Sequence, residues 1–263
     1  LSFKSSFFYL SNTFFRLLSK RYFRVDCLLL MSSYDKKLYK KNNLINSVES
    51  AHSYDISNAF INDRSKLKKN EKKNYILLID TPGPRYQGDE KVYLVGKYHT
   101  PKKWFPAINN FFNFLEKNFK SNVKIAPHPK TKLEKFPKDF NYREVIYEKL
   151  SQLVKNSKII ISKVPGSNAL VYAAYYDKPI LFIYSNEMIK HKNYMNSFKD
   201  YYDALGYKPI NIDKKLNKNE ILKILKMKNK SKYVKYLRKY GSARKDKLPN
   251  YLIIKKVINK LWL

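Results

Sequence analysis

Three short loops hold the residues of this chain best suited to chemistry, and each follows an apolar run. VKIAPHPK sets His128 and Lys130 on either side of Pro129, directly after Pro127. An imidazole and an ammonium two residues apart can face a phosphate or another anion. The same residues read equally well as a plain turn, because both prolines end strands and restrict their neighbours. ISKVPGSNAL brings together Lys163, Gly166, Ser167 and Asn168. Gly166 permits a tight backbone turn, and Ser167 or Asn168 can cap the helix that follows. Such a helix start, with its free N–H groups and positive dipole end, attracts phosphate, and Lys163 and the Ser167 hydroxyl add donors. Alternatively, a Ser or Asn after Gly is a cap and nothing more. YILLIDTPGP supplies the third loop, which opens on the carboxylate of Asp80.

The elements that must position these loops follow from periodicity. YILLID, VKIA, KIIIS and PILFIYS are short continuous apolar runs bounded by Pro, Gly or Asn, which predicts buried strands. Between them, WFPAINNFFNFLEKNF places Phe105, Ile108, Phe111, Phe112, Leu115 and Phe119 at helical spacing. REVIYEKLSQLVKN and NALVYAAYY predict two further helices. Strand–helix alternation with apolar strands predicts an α/β fold, a doubly wound parallel sheet of Rossmann-like type. In such a sheet ligands bind outside the carboxyl ends of the strands, where all three loops lie. PINI at residues 209–212 predicts one more strand, and the Lys-rich remainder a helical C-terminus. Upstream, residues 7–18 read as a helix, residues 25–31 as a strand, and the stretch to Asn46 as polar. RSKLKKNEKKN, within 64–74, is a solvated charge run and reads as a linker.

Composition narrows the class less than the loops do. Lys and Arg number 54 against 21 Asp and Glu, a net charge of +33. That surface suits nucleic acid, anionic lipid or anionic substrates, and a lysine-rich codon bias would produce it equally. Tyr and Lys interleave in KSKYVKYLRKYGSARK, a pattern that can stack and bind single strands but reads first as solvated helix faces. The single Cys27 rules out an intrachain disulfide and fits a reducing compartment. No apolar run approaches the roughly 18–20 residues of a membrane span. The first thirty residues are apolar but broken by Lys4, Arg16, Lys20, Arg21 and Arg24, and read as domain structure rather than a signal peptide. The chain opens on Leu1 and its first methionine is Met31, which suggests a fragment or an unusual start. GxxxxGK[ST], GxGxxG and GxSxG are all absent, and no His pair has metal-ligand spacing. No metal and no cofactor is expected.

At these same loops, VKIAPHPK and KLSQLVKNSKIIISKVPGSNALVYAAYYDKPILFI resemble the C-terminal half of bacterial surface-polysaccharide glycosyltransferases. The group is GT-B-like and includes capsule, sialic-acid and Kdo transferases. It carries a His-Pro motif after one strand, a Ser/Thr pair opening a helix after the next, and a Lys-Pro before an apolar strand, as at Lys178 and Pro179. YILLIDTPGPRYQGD resembles the start of the same domain and AHSYD a segment joining the two halves, so the likeness covers about residues 50–185. It implies three regions: a partial N-terminal α/β region over 1–63, a linker over 64–74, and a nucleotide-sugar-binding domain over 75–263. The implied activity is metal-free transfer of a sugar from a CMP- or UDP-linked donor to a glycan or lipid-linked glycan acceptor. His128, Lys130, Lys163, Gly166, Ser167 and Asn168 would then hold the donor phosphate and stabilise the departing nucleotide. Asp80 or Asp55 would be the base for the acceptor hydroxyl. A cytoplasmic protein in peripheral contact with an anionic inner membrane follows from the same picture, with nucleic acid not a partner. Two departures stand out: Asn168 replaces the second Ser/Thr, and only about sixty residues precede the linker where a domain needs roughly 100. They support a truncated, non-catalytic nucleotide-sugar-binding relative as the alternative, with a basic nucleic-acid-binding protein as a third reading.

Overall fold

The computed structural model describes residues 24–33, 39, 44–64, 74–80, 84, 99–128, 131–163, 169–190, 192–227 and 229–262. The helix expected at 7–18 and most of the expected linker lie outside them. In chain order the elements begin β1 (Val25–Leu30), β2 (Ile45–Ser50), α1 (Tyr54–Arg64), β3 (Ile76–Ile79), α2 (Pro101–Phe119), β4 (Val123–Ala126), α3 (Leu150–Asn156) and β5 (Ile159–Ser162). They continue α4 (Ala169–Tyr175), β6 (Ile180–Tyr184), α5 (Asn186–Ile189), α6 (Lys192–Leu205), β7 (Ile210–Asn211), α7 (Lys218–Lys226), α8 (Lys230–Tyr240) and α9 (Asn250–Trp262).

The chain forms two compact units, residues 58–237 and residues 1–57 together with 238–263. Sequence reading kept 238–263 with the preceding α/β domain, because nothing in its lysine-rich helices signals a return to the N-terminal segment. The larger unit holds a five-stranded sheet in the order β4-β3-β5-β6-β7, with every neighbouring pair parallel. Counted from β3 as first strand, the order is 2-1-3-4-5, a doubly wound sheet whose direction of winding reverses between β3 and β5. Right-handed crossovers put α2 on the opposite face from α3 and α4. All four residues of β3 and of β5 are buried, which is why their sequences are continuous apolar runs rather than alternating ones.

α2 packs on this sheet through Trp104, Phe105, Ile108, Phe111, Phe112 and Leu115, all buried. Pro101 at its first turn is pre-shaped for a helix start. Pro106, inside the helix, removes a backbone donor and leaves the Lys102 carbonyl without its usual partner. α4 is built of small and apolar residues, and Ala169 to Ala174 are all buried, so it lies close against its neighbours.

The helix expected over REVIYEKLSQLVKN begins only at Leu150. Residues before it run alongside β4 instead: Ile125 N–H donates to the Glu144 carbonyl (2.9 Å) and Ile146 N–H to the Ile125 carbonyl (2.8 Å). Arg143 anchors this segment, donating to Glu116 Oε2 (2.8 Å) and Asn109 Oδ1 (2.8 Å) on α2. The open edge of β4 thus overrides local helical periodicity. In the smaller unit β1 and β2 pair in parallel, with Val25 opposite Ile45 and Leu30 opposite Ser50. β1 matches its expected position, whereas β2 forms from the end of the stretch read as polar, which runs to Asn46, and from the SVES that follows, where no strand is expected.

Candidate functional site

The reversal of winding between β3 and β5 sets two charged residues side by side. Ile79 pairs with Ser162 across these strands, so Asp80 and Lys163 follow as neighbours. Lys163 Nζ stands 3.4 Å from Asp80 Oδ1, and the two side chains are 1% and 5% exposed. The ammonium also lies 5.0 Å from the centre of the Trp104 ring. A buried cation is costly unless a carboxylate and an aromatic face replace the water it loses, and both are supplied here. Burial lowers the Lys163 pKa, and the Asp80 carboxylate opposes that shift. His99 packs its ring edge-on to Trp104 at 5.0 Å. Burial, and then the Lys163 charge, push its imidazole down to about 2, so it stays neutral at any physiological pH.

Sequence reading expected Lys163 to face a donor phosphate and Asp80 to serve as an open base. In the structure the two are buried and turned to each other, a wedge that fixes the ends of β3 and β5. His128, two residues beyond β4, is half-buried. Its carbonyl accepts from both the backbone N–H and the Oγ1 of Thr131, each at 2.8 Å. Thr131 thus closes back onto the His128 carbonyl, and His128 itself is partly exposed. Lys130, Gly166, Ser167 and Asn168 lie outside the described residues. Asp55 sits in the first turn of α1, in the smaller unit.

Farther along the same carboxyl edge, beyond β6 and β7, is a cleft of about 890 Å³. One wall is α2, through Lys102, Lys103, Pro106, Ala107, Asn110 and Phe114. The other wall is the chain leaving β6, with Asn186, Glu187 and Lys190, and leaving β7, with Asp213, Lys214, Lys215 and Leu216. Asn186 N–H donates to Asp213 Oδ2 (2.6 Å), and Asn211 Nδ2 donates to Asn186 Oδ1 (2.9 Å), so the two loops are stitched together. Glu187 spans to α2, accepting from Thr100 N–H at 2.8 Å and pairing with Lys103 Nζ at 3.2 Å. Burial raises the Glu187 pKa, but these donors outweigh it and hold the carboxyl below its ordinary range. Sequence reading singled out the three loops after β3, β4 and β5 and passed over those after β6 and β7. SNEMIK and NIDKKL follow apolar strands in the same way and carry the missing signal.

In the smaller unit a Ser, a His and an Asp converge without forming a catalytic triad. His52 Nδ1 is 2.7 Å from Ser242 Oγ, and Nε2 is 3.6 Å from Asp246 Oδ1. The Ser242 hydroxyl donates to the Arg244 carbonyl (2.8 Å), which commits its proton, and His52 is 0% exposed, which closes it to substrate. Burial lowers the His52 pKa, with Asp246 opposing. Among the described residues no group of three or more His, Cys, Asp or Glu side chains is placed to hold a metal ion. Nor is any described helix long and apolar enough to cross a membrane.

No protein-family model matches this chain, and no curated protein does. Among solved structures it is similar to the UDP-GlcNAc 2-epimerase of Methanocaldococcus jannaschii, determined in complex with UDP-GlcNAc and UDP, at 14% identity and a TM-score of 0.42. The match covers 81% of this chain and 60% of the epimerase, so the chain spans less than two thirds of that protein's length.

Proposed function

We propose that this chain is a glycosyltransferase-like protein of bacterial surface-polysaccharide biosynthesis, capsule or lipopolysaccharide, that binds a nucleotide sugar at the carboxyl edge of its parallel sheet. The observation that carries the reading is the edge itself. A doubly wound sheet directs its strand ends, with Asp80, His128 and Lys163 at three of them, to the side where such folds bind nucleotides. His128 is a group on this edge able to stabilise a departing phosphate. The Asp80–Lys163 wedge holds the neighbouring strand ends in place for it. The acceptor in this reading is a glycan or lipid-linked glycan, met at an anionic membrane surface that the basic chain favours.

A second reading, binding without transfer, is supported by one observation. Asp80 is enclosed against Lys163 and offers no open base to an acceptor hydroxyl. Calorimetric titration with CMP, UDP, CDP and GDP at moderate salt, for the parent chain and His128→Ala, tests the binding that both readings share. Selective binding to one nucleotide, weakened at least tenfold in the variant, supports it. Equal, salt-sensitive binding to all four, unchanged in the variant, overturns it and favours a nonspecific polyanion binder. Incubation of the nucleotide sugar so identified, followed for nucleotide release, then separates transfer or hydrolysis from binding alone.

A further inference from the structure

We propose that the cleft between α2 and the loops after β6 and β7 is a diphosphate site, which makes the ligand of this edge an elongated molecule with a diphosphate group rather than a monophosphate. The inference rests on the nucleotide-sugar reading and adds to it which charge the ligand carries and where.

Lysine alone would be a poor argument in a chain of net charge +33, and concavity and pairing distinguish this place. Five lysines, Lys102, Lys103, Lys190, Lys214 and Lys215, line one cleft together with two carboxylates, Glu187 and Asp213. Both carboxylates are engaged. Glu187 holds Thr100 and Lys103, and Asp213 accepts from the Asn186 backbone. Among the described residues no carboxylate pairs with Lys102, Lys190, Lys214 or Lys215. Like charges gathered on a concave wall focus the field into the space between them, and that costs stability unless an anion enters. Two adjacent phosphates meet such a set of ammonium groups better than one. On the α2 wall, Pro106, Ala107 and Phe114 suit the flat apolar part of the same ligand.

In the order β4-β3-β5-β6, the strand that leads to His128 and the strand that leads into the cleft stand three strand spacings apart, about 14 Å at the usual ~4.8 Å per strand. One phosphate cannot reach both. A molecule held at its diphosphate by the cleft can extend along the edge toward His128.

Two sources carry this chemistry, a nucleoside diphosphate and a diphosphate-linked lipid, and the probes separate them. Affinities would be measured for UMP and UDP, GMP and GDP, and geranyl diphosphate, with the parent chain and with Lys214→Glu/Lys215→Glu. These lysines are exposed, so the variant should fold, and a melting curve checks that it does. The expected result is a diphosphate bound at least tenfold tighter than its monophosphate, with about a tenfold loss in the variant. Preference for UDP or GDP assigns the site to a nucleotide donor, and preference for geranyl diphosphate to a lipid acceptor. Mono- and diphosphates bound equally, indifferent to the lysine variant yet weakened by His128→Ala, would overturn the diphosphate site and leave the nucleotide-sugar reading standing. Failure of every probe to bind would overturn both.

Discussion

The two units of this chain are held together by opposite kinds of interaction. Residues 58–237 fold around apolar parallel strands, and a deeply buried ion pair, Asp80 with Lys163, sits where the sheet reverses its winding. The other unit closes through polar contacts between residues nearly 200 positions apart. Asn250 Oδ1 accepts from His52 N–H (3.0 Å), its Nδ2 donates to the His52 carbonyl (2.8 Å), and its own N–H donates to Ser57 Oγ (2.9 Å). Arg244 Nη1 donates to the Ser50 carbonyl at 3.1 Å. A polar group placed among apolar strands must be exactly compensated or the element fails, whereas a polar clasp can be loosened one bond at a time.

That contrast can be broken in four places, taken from the largest expected effect. Asp80→Ala leaves the Lys163 ammonium buried without its carboxylate and should cost about 3–5 kcal/mol in denaturant melts. Adding Lys163→Met should recover more than half of that loss. No recovery would mean that the pair does more than neutralise itself. Second, acidification should destabilise the larger unit through His99. Its pKa is depressed from 6.5 to about 2, so below 6.5 the unfolded chain takes a proton that the folded chain refuses. The neutral-imidazole stability is complete above pH 6.5 and falls as pH drops, by about 2 kcal/mol at pH 5. His52, also lowered, gives the smaller unit a loss of the same sign. His99→Phe should flatten the pH dependence without abolishing it, and an unaltered slope would remove His99 from the account.

Third, Asn250→Ala should cost about 1–2 kcal/mol. Hydrogen exchange should quicken over 45–52 and 241–250 and stay unchanged in β3, β5 and β6, whereas equal quickening throughout would contradict the division into two units. The smallest effect belongs to Asp63, whose carboxylate meets Lys155 Nζ (2.7 Å) and the Tyr175 hydroxyl (3.0 Å) at the surface of the larger unit. Asp63→Asn should cost below about 1 kcal/mol. A cost equal to that of Asn250→Ala would show that burial is not what separates the two sets of polar contacts.

What the sequence could disclose follows the same line. ILLI, VKIA, IIIS and ILFIY announce buried parallel strands because a strand covered on both faces is mainly apolar rather than alternating, and all four stand where they were expected. The helix placed over 143–156 failed at its first half because the edge of β4 needs partners, a demand that periodicity does not record. INSVES was missed as β2 because half-buried strands with serine and asparagine look like loops. The clasp around Asn250 and His52 was illegible for a different reason: its partners are ordinary residues whose meaning lies in a contact almost 200 positions away. Asp80, His128 and Lys163 were singled out from their positions after apolar runs, and the structure sets each of them just beyond a strand end. That Asp80 and Lys163 face each other rather than a ligand depends on the register of Ile79 with Ser162, which only the folded sheet discloses. The lysines of the cleft were hidden among 54 basic residues until topology gathered five of them.

The central claim is that this molecule works at the carboxyl edge of its five-stranded sheet. Hydrogen–deuterium exchange of the whole chain, with and without saturating UDP, GDP or CMP, tests it most directly. The account predicts that the nucleotide that binds slows exchange over residues 99–103, 186–190 and 212–216, with β1, β2 and α9 unchanged. Protection confined to the Tyr- and Lys-rich helices α8 and α9, or no protection by any of the three, would contradict it.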